Sequence, residues 1–300
     1  MRKLLAALII LLLPLTLFAQ HKKLTFTTSD GVQLHVRISG QGKPCLFIHG
    51  GPGSWTKYFY DLGGDAVEQD LQMIYVDQRG SGRSTGSEEH DYSLARMVQD
   101  FEELRQHLGF DKWLLMPHSF GGTLATEYAY LHPQQVQGLI YVNSTLHLSS
   151  SLDSYITEGA RFLNIPVSEL RQPGAPVGQA LGNVVQKLNE QGLMYRMMYP
   201  EKEMFDRMNV VMDTTLNWHF GSRVWGYKEY EQDFTAKSAA ITQPVLVFTG
   251  KYDYAIGPKH YKSFKFPKAT YRVMNTGHCP YQEQPEQFRK YVKAFLAKLD

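Results

Sequence analysis

The residues of this 300-residue chain whose pattern most clearly indicates chemistry form the hexapeptide Pro-His-Ser-Phe-Gly-Gly at 117–122. It follows an apolar run and precedes a helical pattern, so Ser119 is expected in a tight strand-to-helix turn. Such a turn needs small neighbours, because its strained backbone directs the serine hydroxyl out of the sheet. Gly121 supplies one of them, and Pro117 replaces the glycine usual at the other position. The pattern predicts that Ser119 is a nucleophile.

A second glycine-rich segment, His-Gly-Gly-Pro-Gly at 49–53, comes directly after another apolar run. Glycines allow the chain to turn so that a backbone amide points toward a reacting carbonyl oxygen. The amides of Gly51 and Phe120 are therefore predicted to form an oxyanion hole.

A nucleophilic serine needs a general base and a carboxylate that orients the base, and both should follow it in the order acid, then histidine. Asp253 lies just past an apolar run at 245–249. His278 follows a run at 270–274, precedes the last helical pattern and lies 25 residues beyond the acid (278 − 253). The sequence predicts Ser119, Asp253 and His278 as a catalytic triad.

The elements that must position these residues alternate along the chain. Asp30-Gly31 joins two runs of alternating polarity, which predicts an antiparallel hairpin. Apolar runs then alternate with helical patterns, which predicts an α/β fold with a mostly parallel sheet flanked by helices. The predicted strands are 23–29, 32–39, 44–49, 71–77, 113–117, 139–143, 244–250 and 270–274. The predicted helices include 94–108, 123–131 and 286–299.

The alternation stops at residues 146–236, where Met, Tyr and Glu accumulate without strand-like runs. We call this the cap segment and expect a helical insertion. The simplest geometry places it over the carboxyl edge of the sheet, where open α/β sheets bind ligands. The catalytic domain would then consist of residues 24–145 and 237–300.

The N-terminus carries an export pattern. Arg2 and Lys3 precede an apolar run at 4–19 that Pro14 interrupts. A basic end, an apolar stretch and a small residue near the cut define a secretory signal peptide, predicted here as residues 1–19. The run is shorter than the roughly 20 residues that span a bilayer. We expect a periplasmic or secreted protein with no stable membrane insertion after signal removal.

The composition limits the kinds of partner and cofactor that the protein is expected to bind. The chain has 31 Lys and Arg against 29 Asp and Glu, a formal net charge of +2. This balance lacks the basic excess on which nucleic-acid binding depends. Cys45 and Cys279 form neither a disulfide framework nor a metal-binding pattern. We expect a small-molecule or short-peptide substrate and no metal or organic cofactor.

Three segments together resemble the prolyl iminopeptidases of the α/β-hydrolase superfamily: 49–53, Asp-Gln-Arg-Gly-Ser-Gly-Arg-Ser at 77–84, and 117–122. The resemblance implies an α/β-hydrolase fold with a helical cap and structural roles for Asp77 and Arg79. It also implies a serine peptidase that releases N-terminal proline or another small residue from short peptides.

The resemblance further implies that a glutamate of the cap binds the free α-amine of the substrate. The Glu-Phe pair typical of that family does not occur in this cap segment, so four glutamates remain candidates for this role: Glu201, Glu203, Glu229 and Glu231. The alternatives are an esterase or lactonase that uses the same triad, and a non-catalytic binding protein on a hydrolase scaffold.

Overall fold

The computed structural model describes residues 21–211 and 216–299. The predicted signal peptide, residues 1–19, lies outside this range. Within the described residues, no helix is both long enough and apolar enough to cross a membrane.

A single eight-stranded sheet forms the centre of the chain. Its strands are β1 (Lys22–Thr27), β2 (Gln33–Ser39), β3 (Lys43–Ile48), β4 (Leu71–Val76), β5 (Trp113–Pro117), β6 (Val136–Val142), β7 (Val245–Gly250) and β8 (Ala269–Met274). Their order is β1-β2-β4-β3-β5-β6-β7-β8. β2 pairs antiparallel with both β1 and β4, whereas all the other pairs are parallel. The predicted mostly parallel sheet is confirmed.

The α-helices of the described residues are divided between the sheet domain and the cap segment. They are α1 (Lys57–Tyr60), α2 (Leu94–His107), α3 (Gly121–Leu131), α4 (Leu148–Leu163), α5 (Val177–Glu190), α6 (Lys202–Val211), α7 (His219–Arg223), α8 (Thr235–Ser238), α9 (Pro280–Glu283) and α10 (Pro285–Leu296). Short 3-10 helices also occur at Gly64–Gln69, Pro133–Gln135, Val167–Glu169, Met194–Met197, Val224–Gly226, Lys228–Glu231 and His260–Ser263.

The sheet is buried on both faces. Neighbouring residues of β3 show this, because Leu46 and Ile48 belong to the hydrophobic cluster that includes α2 and α3. Cys45 and Phe47 point the other way, into the cluster that includes α1 and α10. Alternation of successive side chains between two apolar layers requires a strand that is apolar throughout, which is why the parallel strands read as continuous apolar runs.

Two elements begin two or more residues earlier than their sequence patterns predict. β6 starts at Val136 rather than at residue 139, because Gly138 lies inside the strand and pairs with Leu114 instead of ending it. α3 starts at Gly121 rather than at residue 123. A Cβ on Gly122 would lie 2.6 Å from the Ser144 Cβ, so the first turn of the helix needs glycine to approach the end of β6. Close packing here outweighs the low helix propensity of glycine.

The cap segment runs from the end of β6 toward β7 through α4 to α8. In its described part, residues 146–211 and 216–236, no β-strand is formed. Ile156 and Ala160 of α4 pack on Val184 and Leu188 of α5 in a small hydrophobic cluster of their own. The cap therefore buries apolar surface within itself as well as against the sheet domain.

The segment after β4 is held by a buried ionic network. The Arg79 guanidinium donates to both carboxylate oxygens of Asp100, at 2.6 and 2.8 Å, and to both of Asp30, at 2.8 and 2.9 Å. The Arg79 side chain is fully buried and the Asp100 side chain is 3% exposed. Asp77 accepts from Thr56 and Arg83 in the same segment. Arg79 and Asp77 thus connect loops of the sheet domain to one another.

Removal of the Arg79 charge should destabilise the fold strongly. We expect Arg79→Met to lower the free energy of unfolding by about 3–5 kcal/mol, because it removes the donor to the buried Asp100 Oδ2 and leaves the carboxylate paired with Arg96. The control is Arg171→Met, which breaks an exposed ion pair with Asp153 and should cost less than about 1 kcal/mol. Urea unfolding of both variants measures the difference. Equal losses would show that the buried network contributes no more than a surface pair.

Candidate active site

Ser119 occupies the turn between β5 and α3 in the conformation expected of a nucleophile elbow. Its φ is +54°, in the left-handed region. The ends of both neighbouring strands fix this turn, since the Ser119 amide donates to the Val142 carbonyl at 3.2 Å and the His118 amide donates to the Ile48 carbonyl at 3.0 Å. A Cβ on Gly50 would lie 2.5 Å from the Ser119 Cβ, so the 49–53 loop passes against the serine only because it carries glycine there.

The loop after β3 holds the peptide between Gly50 and Gly51 in one orientation. The Gly50 carbonyl accepts from the His49 Nδ1 at 2.9 Å and from the Ser54 amide at 3.3 Å. In a trans peptide the N–H points opposite to the C=O, so the Gly51 amide is directed away from these donors. Within the described residues, neither the Gly51 nor the Phe120 amide donates a hydrogen bond, and both residues line the cavity that contains Ser119.

The tautomer of His49 follows from its two neighbours. Its Nε2 accepts from the Gln78 amide at 3.0 Å, so Nδ1 carries the hydrogen that is donated to Gly50. Burial lowers the pKa of His49 to about 4, which keeps the ring neutral near pH 7.

His278 and Asp253 are paired. The His278 Nδ1 lies 3.0 Å from the Asp253 Oδ1, and both side chains are buried. An ionised carboxylate only accepts hydrogen bonds, so Nδ1 carries the hydrogen, and in the neutral ring Nε2 has a lone pair. Asp253 follows β7, His278 lies between β8 and α9, and His278 shares the cavity with Ser119. The structure thus brings the three predicted catalytic residues to one place.

Asn143, which the sequence analysis did not identify, holds the acid and the loop of the base together. Its Nδ2 donates to the Asp253 Oδ2 at 2.8 Å and to the Gly277 carbonyl at 2.9 Å. Asn143 also has a positive φ, +43°, which asparagine adopts more readily than most residues. The sequence signal that could have identified Asn143 is a polar residue directly after the apolar run of β6. The structure places the end of this strand beside the turn of Ser119.

The cavity above these residues measures about 430 Å³ and lies between the sheet domain and the cap. Its cap wall is formed mainly by apolar side chains, among them Leu148, Leu152, Tyr155, Val185, Met208 and Trp218. Thr145 and Ser151 contribute hydroxyls that hydrogen-bond to each other at 2.8 Å. The cavity can therefore hold a mainly apolar group next to Ser119.

The four candidate glutamates are not brought to this cavity. Glu201, Glu203 and Glu231 are exposed. Glu229 accepts from the Leu94 amide at 3.4 Å, at the start of α2. None of the four lines the described cavity. Their positions in the sequence of the cap therefore did not indicate which residues form the cavity wall.

The described residues contain no group of three or more His, Cys, Asp or Glu side chains placed to hold a metal ion. Cys45 and Cys279 are both buried and free.

The fold and the site together define the class of protein. The family model described as the α/β hydrolase fold matches residues 43–285, and the chain belongs to this family. The family supports a hydrolase with a small substrate.

Individual relatives carry two kinds of name. The proline iminopeptidase of Lactobacillus helveticus is 26% identical over 297 residues, covering 90% of this chain and 96% of that protein. Epoxide hydrolase 3 of Xenopus tropicalis is 23% identical over 293 residues, covering 89% of this chain and 75% of that protein. Further relatives named as proline iminopeptidases match at 35–43% identity over only 30–35% of their own length.

A solved structure with the same fold is that of a proline iminopeptidase-related protein from Thermus thermophilus. It superposes with a TM-score of 0.76 at 22% identity, covering 93% of this chain and 98% of that chain. The likeness to the prolyl iminopeptidases predicted from the sequence motifs is confirmed.

Loss of the Asn143 amide should impair the site without disturbing the backbone. We expect Asn143→Gly to lower kcat/KM about tenfold or more, because hydrogen bonds to a charged group contribute about 1.5–3 kcal/mol. Asn164→Gly is the matched control, since Asn164 also has a positive φ, +55°, but ends α4 at the surface. Its kcat/KM should stay within about twofold of the parent. Equal effects of the two substitutions would contradict a role for the Asn143 side chain.

Proposed function

We propose that this protein is a serine hydrolase that works through an acyl-enzyme. The observation that carries the proposal is that Ser119, in its positive-φ turn, shares one cavity with His278, which is paired with Asp253. The family supports the hydrolase part of this proposal. The positions of the three side chains support the serine mechanism.

In this mechanism the His278 Nε2 removes the proton of the Ser119 hydroxyl, whose oxygen attacks the substrate carbonyl. Asp253 holds the His278 Nδ1–H and stabilises the imidazolium that forms. The Gly51 and Phe120 amides donate to the oxyanion, and the imidazolium then protonates the leaving group. Water, activated by the same histidine, releases the acyl group and restores Ser119.

The relatives extend this proposal to a substrate. We propose that the enzyme is an aminopeptidase that releases N-terminal proline or another small residue from short peptides. The full-length similarity to the proline iminopeptidase of Lactobacillus helveticus supports this substrate. The cap side of the cavity, which includes Leu148 and Trp218, can also contact the apolar ring methylenes of an N-terminal proline.

A second candidate is an esterase or lactonase that acts on small neutral acyl groups with the same triad. The apolar cap wall favours it, since an uncharged acyl chain needs no charged partner there. The positions of Glu201, Glu203, Glu229 and Glu231 outside the cavity lining favour it as well.

The first experiment tests the serine mechanism. A fluorophosphonate probe should label the parent protein and leave Ser119→Ala unlabelled, because the probe reacts with an activated serine hydroxyl. Thermal unfolding of Ser119→Ala shows whether the variant is folded. An unlabelled parent protein, or equal labelling of the two, would exclude the proposed mechanism.

The same preparations distinguish the two substrates. Proline p-nitroanilide, N-acetylproline p-nitroanilide and p-nitrophenyl butyrate are compared by kcat/KM. The aminopeptidase proposal expects turnover of the first that falls at least about tenfold on acetylation, because acetylation removes the amine that such an enzyme must recognise. Turnover of the ester alone would establish the second candidate and reject the first.

We also propose that the protein is exported and that its signal peptide is removed. The supporting observation is the Arg2-Lys3 start followed by the apolar run at 4–19. Full-length chain expressed in a bacterial host should appear in the periplasm or medium with Gln20 as its first residue, which N-terminal sequencing checks. A cytoplasmic product that begins at Met1 would reject this proposal.

A further inference from the structure

His118, which the proposed mechanism does not use, lies at the centre of the site. It is buried beside Ser119, and its ring centroid is 4.6 Å from that of His278. Its Nδ1 lies 2.8 Å from the Tyr58 hydroxyl and its Nε2 lies 3.1 Å from the His278 carbonyl oxygen. We propose that His118 and Tyr58 are positioning residues that hold the oxyanion loop and the loop of the base in register with Ser119. The inference rests on the proposed serine mechanism.

A chain of hydrogen bonds links Gly50, Tyr58, His118 and His278. Only one assignment of donors and acceptors satisfies all of its groups. The Gly50 amide can only donate, and it donates to the Tyr58 hydroxyl oxygen at 3.0 Å. The His278 carbonyl can only accept, so His118 must carry a hydrogen on Nε2. The Tyr58 hydroxyl then donates to the unprotonated Nδ1 of His118. Every group has a partner only when His118 is neutral and protonated on Nε2.

The surroundings of His118 favour that neutral form. Burial holds the pKa of His118 well below its usual range, and a positive charge on His278 would lower it further. Around the ring lie Tyr58, His278 and Tyr281, whose ring is edge-on at 5.5 Å. When His278 becomes an imidazolium during acylation, a neutral neighbour does not oppose its charge.

The two ends of this hydrogen-bond chain, the Gly50 amide and the His278 carbonyl, belong to the proposed reaction site. Gly50 precedes Gly51, whose amide is the candidate oxyanion donor, and the His278 carbonyl belongs to the base itself. Between them, His118 is the residue before the nucleophile. These three segments are far apart in the sequence, His118 and His278 by 160 residues, and the hydrogen-bond chain links them directly. Its loss should misplace the donors and the base relative to the serine, and such misplacement lowers kcat more than it changes substrate binding.

The test uses Tyr58→Phe, His118→Gln and the double variant. Gln keeps an N–H for the His278 carbonyl but lacks the Nδ1 acceptor, so each single substitution breaks the Tyr58–His118 bond. Tyr141→Phe is the matched control, because it removes another buried hydroxyl that hydrogen-bonds at 2.8 Å to Thr126, away from the reaction site. Active sites are titrated with the fluorophosphonate probe, and kcat is expressed per titrated site on the best substrate of the panel.

We expect each single variant to lower kcat per site at least about fivefold with KM within about twofold. The kcat of the double variant should be at most about twofold below that of the less active single variant, since both substitutions break the Tyr58–His118 bond. Tyr141→Phe should keep the parent kcat even if it unfolds at lower urea concentration. A kcat within twofold of the parent, a change confined to KM, or multiplicative losses would overturn the inference.

A second measurement does not depend on activity. Nitrogen-15 NMR of histidine-labelled protein at pH 7 should show His118 neutral with its hydrogen on Nε2, assigned by the signal lost in His118→Gln. A ring protonated on Nδ1 would reject the hydrogen-bond chain. A parent protein that the probe does not label would instead reject the serine mechanism, so the two failures are distinguishable.

Discussion

The tight turn at Ser119 is the constraint on which the rest of the site depends. A serine with a φ of +54° between a strand and a helix is costly unless the neighbouring backbone holds it there. Hydrogen bonds to the ends of β3 and β6 do this, and they require the adjacent chains to approach closely. Glycine at Gly50 and Gly122 is the consequence, because a Cβ at either position would collide with Ser119 or Ser144.

Neutral histidines complete this arrangement. His49 and His118 are buried, and each both donates and accepts a hydrogen bond, which only a neutral imidazole can do. His49 orients the peptide before Gly51, and in our inference His118 connects that loop to His278. The low pKa of each ring is therefore part of the positioning, because protonation would remove an acceptor from a buried donor.

The cap segment and the sheet domain contribute differently to the cavity. The sheet domain supplies the polar groups at its floor, which include Ser119 and His278, whereas the cap supplies mostly apolar side chains. A small substrate would therefore be oriented by the floor and selected by the shape of the cap wall. The exposed cap residues Glu201, Glu203 and Glu231 belong to neither the floor nor the cap wall of this cavity.

The sequence by itself determined the fold class and the order of its elements, because apolar periodicity and turn residues such as Asp30-Gly31 are local signals. It also placed Ser119, Asp253 and His278 after strands whose carboxyl ends share one edge of the sheet. Only the tertiary structure decided the contacts of Asn143 and His118 and which cap residues form the cavity wall. The contacts of Asn143 with Asp253 and of His118 with His278 join residues more than 100 positions apart, and such contacts depend on side-chain packing that no local pattern records.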